Sequence, residues 1–225
     1  MSISFKWRQF EKEIILLTVT WYLRYPLSYR DLKAMMLDRG ISVDHTTIYR
    51  WVIKYSEALE QTGRKKKKPV GKRWRMDETY IKVKGKWKYL YRAVDKEGNT
   101  VEFLLTAKRD MKAAARFFRK ALKNNDVPEI INIDKSGANT AGIKKINKEK
   151  DIDITIRRVK YLNNIIEQDH RFIKRLTKHI LGFKSFLTAK ATLTGIELMH
   201  MLRKNQIKFE NSNLSFFQKV CILAS

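Results

Sequence analysis

Residues 74–106 read WRMDETYIKVKGKWKYLYRAVDKEGNTVEFLLT, and their periodicity decides the class of fold. Two runs rich in aromatic and β-branched residues, one ending in Tyr80-Ile81-Lys82-Val83 and one from Trp87 to Val94, flank Lys84-Gly85-Lys86. Such runs around a glycine-containing turn predict two paired strands. Asp95-Lys96-Glu97-Gly98-Asn99 then supplies turn residues before a third run, Thr100 to Thr106. The stretch therefore predicts a three-stranded antiparallel meander.

Downstream the pattern alternates. It predicts a helix over Met111–Lys123, a buried strand over Glu129–Ile133, a helix over Thr140–Lys148, a short strand over Ile152–Ile156 and a long helix over Asn163–His179. A meander followed by alternating helix and strand is the order of a ribonuclease-H-like domain. The expected fold class is α/β, with a ribonuclease-H-like, retroviral-integrase-like core. A last amphipathic helix, Ser185–Gln206, carries Leu193, Ile196, Leu198, Met199 and Leu202 and is expected to pack behind the sheet.

Upstream the period is helical throughout. In LSYRDLKAMMLDRGISVDHTTIYRWVIKY, residues 27–55, Ser28 can cap a helix over Tyr29–Arg39, Gly40 can stop it, and Asp44 or Ser42 can cap the next. This is the pattern of a helix-turn-helix, a small N-terminal all-α domain. Its second helix would present His45, Thr46, Thr47, Tyr49 and Arg50 near its start, where base edges are read, while Ile48, Trp51, Val52 and Tyr55 face inward. A helical packing domain without DNA contact fits the same pattern. Residues 62–73, TGRKKKKPVGKR, then lose nearly all apolar character, and seven of the residues from Arg64 to Arg73 are basic. Lys65, Lys66, Lys67 and Lys68 read as part of a linker or phosphate-tracking arm, or else as a solvated loop. The expected organisation is a helix-turn-helix domain over 1–61, a basic linker over 62–73, a catalytic domain over 74–210 and a tail over 211–225.

Composition narrows the function classes. The chain of 225 residues can bury one good core and a small satellite domain. Its 48 Lys and Arg against 23 Asp and Glu give a formal charge of +25, an excess that calls for a polyanionic partner. A hydrophobic fraction of 44% argues for a folded protein and against a disordered basic tail. The single cysteine, Cys221, can form no internal disulfide and no cysteine zinc site, which suits a reducing compartment. The longest apolar stretch, Glu13 to Leu23, is about half the length of a membrane span. No cleavable signal pattern precedes it. The expectation is a soluble cytoplasmic protein rather than a membrane one.

Three acids stand where metal-dependent phosphodiester chemistry needs them: Asp77 in the first predicted strand, Asp134 at the end of the fourth, and Glu167 in the long helix. Such chemistry uses two divalent ions about 3.5–4 Å apart, and hard cations such as Mg2+ or Mn2+ take oxygen ligands. Asp77 can bridge both ions, with Asp134 and Glu167 completing one each. Glu78 follows Asp77 directly and, by strand alternation, should point to the opposite face. Asp95 and Glu97 read as turn residues, Asp110 as a helix cap and Asp126 as a loop residue. Glu167, His170, Arg171 and Lys174 fall at offsets of three, four and seven, hence on one helical face. That face can hold metal and nucleic-acid backbone together.

The phrases WRMDETYIKVKGKWKYLYRAVD, NIDKSGAN, YLNNIIEQDHRFIKR and TLTGIELMHMLRK resemble those of the bacterial DDE transposases of insertion-sequence family six, over essentially the whole chain. The resemblance implies that Asp77, Asp134 and Glu167 are the catalytic triad and that Lys174 meets the transposon end. It further implies binding of double-stranded DNA at terminal inverted repeats, cleavage at the 3′ ends, and strand transfer into target DNA, commonly leaving a cointegrate. Synapsis of two ends leads to the expectation of a homodimer or higher oligomer. One feature departs from the pattern: 32 residues (135–166) separate Asp134 from Glu167, a short and Lys-rich interval. A DNA-binding regulator derived from such an element, without catalysis, is the alternative from another class.

Overall fold

The computed structural model describes residues 3–5, 9–134, 136–180 and 182–225, with Lys160 described by its backbone alone. The chain divides into two compact units, Pro69–Lys174 on one hand and Met1–Lys68 with Arg175–Ser225 on the other.

In the first unit, β1 (Arg73–Val83), β2 (Lys86–Val94) and β3 (Thr100–Thr106) form the expected antiparallel meander. The β1–β2 turn is shorter than expected: Val83 pairs with Lys86, leaving only Lys84 and Gly85, both at positive φ (50° and 74°). Two such residues make the primed turn whose twist matches that of the strands. At the β2–β3 turn, the buried Asp95 carboxylate accepts the amides of Glu97 (3.0 Å), Asn99 (2.8 Å) and Gly71 (3.0 Å), the turn role read from the sequence. Next come α4 (Met111–Asn124), β4 (Ile130–Asn132), α5 (Gly137–Lys150), β5 (Thr155–Arg157) and α6 (Asn164–Lys178). The strand order is β3-β2-β1-β4-β5, with β4 parallel to β1 and β5 parallel to β4. This is the expected ribonuclease-H-like order. Trp74, Met76, Tyr91, Phe117, Phe118, Ile131 and Ile143 belong to the core between sheet and helices. The helices α4 and α5 approach closely because small residues face each other: a Cβ added at Gly142 would lie 2.7 Å from that of Ala114.

The second unit is helical. It contains α1 (Lys12–Arg24), α2 (Tyr29–Leu37), α3 (His45–Lys65), α7 (Phe186–Arg203) and α8 (Phe216–Ala224). Ser28 and Asp31 form a reciprocal capping box at the start of α2, with bonds of 3.1 and 2.7 Å. Asp44 caps α3 by accepting the Thr46 amide at 2.8 Å. Gly40, at φ 73°, lies in the turn between α2 and α3. Ile48, Val52 and Tyr55 are fully buried and Trp51 nearly so, the inward face expected of the second helix of the motif.

The C-terminal segment departs from the expected organisation. Instead of packing behind the sheet, α7 packs on α3, α1 and α8. Glycines make its close approach possible: a Cβ at Gly63 of α3 would meet Leu198, and one at Gly195 would meet Ser56 and Leu23. Residues 211–225, expected as a tail, include α8, which packs on α3 and α1. Nor are residues 62–73 a free linker. The helix α3 continues to Lys65, Lys67 bridges to Ile207, Lys68 donates its amide to Gln206 (2.7 Å), and Lys66 accepts that of Lys208 (2.8 Å). No helix among the described residues is long and apolar enough to cross a membrane.

Candidate active site

Parallel pairing of β1 and β4 sets the geometry. Arg75 is in register with Asn132, so two residues further along each chain, Asp77 and Asp134 reach the same level and the same face. The strand β4 ends at Asn132. Glu78 starts on the opposite face, yet one carboxylate oxygen from each of Asp77, Glu78 and Asp134 lies within 4.8 Å of the others. The Glu78 side chain is only 3% exposed, and its Oε1 is buried without a hydrogen-bond partner among the described residues.

Arg109, in the loop before α4, closes the cluster: its Nη2 lies 3.2 Å from Glu78 Oε2 and 3.0 Å from Asp134 Oδ2. The other oxygen of Asp134 accepts the Ser136 amide at 3.0 Å. Asp110 caps α4, as read from the sequence, by accepting the Ala113 amide at 2.8 Å.

Glu167 sits in the first turn of α6, exposed to solvent and outside the cluster of Asp77, Glu78 and Asp134. Its charge is still felt there. Burial, followed by the charges of Glu78, Asp134 and Glu167, pushes the Asp77 carboxyl up to about 7, against a lowering backbone hydrogen bond. Burial likewise raises Glu78, with Arg109 pulling the other way. Oxygen-only donors, gathered within 4.8 Å of one another, and an acid that resists ionising describe a cluster whose negative charge a cation would relieve. The residues fit a hard divalent cation.

His170, read as a DNA contact, is buried: its side chain is 4% exposed, with Nδ1 3.7 Å from Asp77 Oδ2. Burial, then the charges of Arg92 and Lys174, lower it to about 3, so it is a neutral neighbour of Asp77 at ordinary pH. Arg171 and Lys174, on the same helix, are exposed. Behind them the fully buried Arg92 pairs with Asp169 at 2.6 Å, anchoring α6 to β2. Sequence reasoning missed Arg109 and the Arg92–Asp169 pair, because each joins positions 25 or more residues apart with no local pattern.

In the helical unit, Thr46, Tyr49 and Arg50 are exposed, while His45 and Thr47 are half-buried. His45 lies 3.2 Å from the Asp44 carboxylate, and the Thr46 hydroxyl donates to that same group at 2.5 Å. Tyr49 meets Tyr29 edge-on, and Tyr29 stacks on Tyr22. Of the basic run, Lys65, Lys66 and Lys68 are exposed and Lys67 is half-buried.

A family model described as a DDE domain matches residues 71–206, an interval that contains Asp77, Asp134 and Glu167. The chain is 43% identical over 205 residues to a Staphylococcus aureus (strain N315) transposase for the insertion sequence-like element IS431mec, covering 89% of this chain and 88% of that protein. A transposase for insertion sequence element IS257 in transposon Tn4003, also from Staphylococcus aureus, is similar at the same identity and coverage. Among solved structures, the HTLV-2 integrase catalytic core domain in complex with magnesium aligns with 68% of this chain and 97% of that one, at 19% identity and a TM-score of 0.47. The catalytic core domain of BIV integrase gives 17% identity and a TM-score of 0.46, over 68% of this chain and 95% of that one.

Proposed function

The chain belongs to the DDE transposases of insertion-sequence family six, and on that premise we propose that it binds the terminal inverted repeats of its own element, cleaves at the 3′ ends and joins them to target DNA. The product of this replicative route is a cointegrate. The observation that carries the proposal is the convergence of Asp77, in the middle of β1, and Asp134, just past the end of the adjacent parallel β4, with the Glu167 charge close enough to act on Asp77.

In this reading Asp77 and Asp134 hold magnesium or manganese, and Glu167, on the open side of the site, completes the ligand set of a two-ion centre. Bound divalent ions supply an activated hydroxyl oxygen on one side of phosphorus and charge relief for the leaving oxygen on the other. The protein's own residues provide position and charge. Neutral His170 adds no positive charge beside Asp77, leaving the carboxylates to set the electrostatics. Exposed Arg171 and Lys174, one helical turn and two from Glu167, carry positive charge for the backbone of the transposon end. Thr46, Thr47, Tyr49, Arg50 and His45, at the start of α3, read base edges in the inverted repeat. Lys65 to Lys68 contact phosphates from a fixed ridge. Synapsis of two ends requires at least a dimer on double-stranded DNA.

The test is a strand-transfer assay with the purified protein, a pre-nicked end of its own element, a supercoiled target and magnesium, alongside Glu167→Gln. Joined product from the wild type and none from the variant supports the proposal. End binding without joining by either protein would replace it with a regulator derived from such an element.

A further inference from the structure

We infer that Arg109 is the resident counter-cation of the acidic cluster, and that a divalent ion must displace it in order to load. The inference rests on the proposed role of Asp77 and Asp134 as metal ligands. A single atom, Arg109 Nη2, touches both Glu78 Oε2 (3.2 Å) and Asp134 Oδ2 (3.0 Å). It thus lies between two carboxylates that would hold a cation. Asp134 has no idle oxygen in this arrangement: Arg109 takes Oδ2, and the Ser136 amide takes Oδ1 at 3.0 Å.

Three carboxylates with oxygens within 4.8 Å of one another repel strongly when ionised, and one guanidinium offsets only part of that charge. A doubly charged ion relieves more of it, but cannot share those oxygens with Arg109 without bringing positive charges into contact. Guanidinium and metal therefore compete. Arg109 projects from a loop, and its side chain is one-third exposed, so it can swing outward. There it meets the exposed Lys108, and the two form a cationic pair suited to a DNA phosphate. The arrangement makes the acids tolerable to one another before metal arrives, and couples loading of the metal to a new anionic partner for the arginine.

A purely structural clamp makes the opposite prediction. If Arg109 served only to hold Glu78 and Asp134 at ligand distance, its removal would scatter the ligands and weaken metal binding. The experiment is calorimetric titration of the DNA-free full-length protein with MgCl2, and separately with MnCl2, for wild type, Arg109→Gln, Arg109→Lys and Asp134→Asn. Expected is a dissociation constant for Arg109→Gln lower by on the order of tenfold, with Arg109→Lys in between, because it keeps the charge without the planar fork. Equal or weaker binding by Arg109→Gln, with thermal unfolding showing it folded, would overturn the inference. Should Arg109→Gln fail to fold, Arg109→Lys decides by the same sign. The underlying reading fails separately: if Asp134→Asn binds metal as the wild type does, the cluster is not the metal site, and both fall together.

Discussion

Burial of Asp77 ties the chemistry of one carboxylate to the stability of the fold. Its carboxyl is raised from the ordinary value near 3.8 to about 7, so in the absence of metal the folded chain holds this proton more tightly than the unfolded chain does. The resulting penalty is absent below about pH 4, grows as pH rises, and is complete above about pH 7. Asp77→Asn is therefore expected to stabilise the metal-free protein at pH 8 by about 1–3 kcal/mol, a range that allows for the partly solvated position, and to lose that advantage progressively toward pH 4. Thermal unfolding of both proteins across this range checks it. His170, lowered to about 3, contributes with the opposite sense, destabilising as pH falls below about 6.5. At this scale the sequence was partly legible. Asp77 and Asp134 stood out because each follows or interrupts an apolar run. Glu78 did not, because alternation sets only the face from which a side chain starts, while its carboxylate still reaches the group of Asp77 and Asp134.

Elements were more legible than side chains, since a helix or strand averages its signal over many residues. The meander, α4, α6 and the capped α2–α3 pair lie close to where periodicity placed them. The start of α5 was missed by three residues: it begins at Gly137 rather than Thr140, because Ser136 caps it, accepting the Asn139 amide at 3.5 Å. Glycine in a helix normally marks weakness, and propensity alone makes Gly142→Ala stabilising by about 1 kcal/mol. Packing reverses the sign. The new methyl carbon would sit 2.7 Å from that of Ala114 and 3.2 Å from the Ala115 nitrogen, so α4 and α5 must separate. The expected result is a net loss of about 1–3 kcal/mol, seen as a lowered denaturation midpoint with an unchanged slope. A rise in the midpoint would mean that the pair of helices is looser than its close approach indicates.

For the whole molecule, the proposed function together with the formal charge of +25 predicts a DNA affinity that falls steeply with salt. Replacing Lys65, Lys66, Lys67 and Lys68 with neutral residues is expected to reduce the slope of log affinity against log salt by about 0.9 for every phosphate that is no longer neutralised. Thermal stability should change little, because the bonds that pin the segment to Gln206 and Lys208 are made by backbone atoms. An unaltered slope would remove the run from the DNA surface. What the sequence could not convey was the partnership of residues 175–225 with residues 1–68. Amphipathic helices declare that they have an apolar face, but not which other face will cover it.

That partnership makes the helical unit discontinuous, with the sheet unit inserted into it at Pro69 and leaving it at Lys174. During synthesis, α1 to α3 emerge from the ribosome first, yet Gly63, Ser56 and Leu23 wait for α7, at residues 186–203, before their side of the core can close. A chain stopped after Lys174 should accordingly retain the sheet while its N-terminal helices become protease-sensitive, an outcome that limited proteolysis would show. The segment proposed to recognise the element's ends thus matures last, although it is made first. On the proposed function, a truncated or still-unfinished polypeptide is expected to bind those ends weakly, and so to compete little for them with the finished chain.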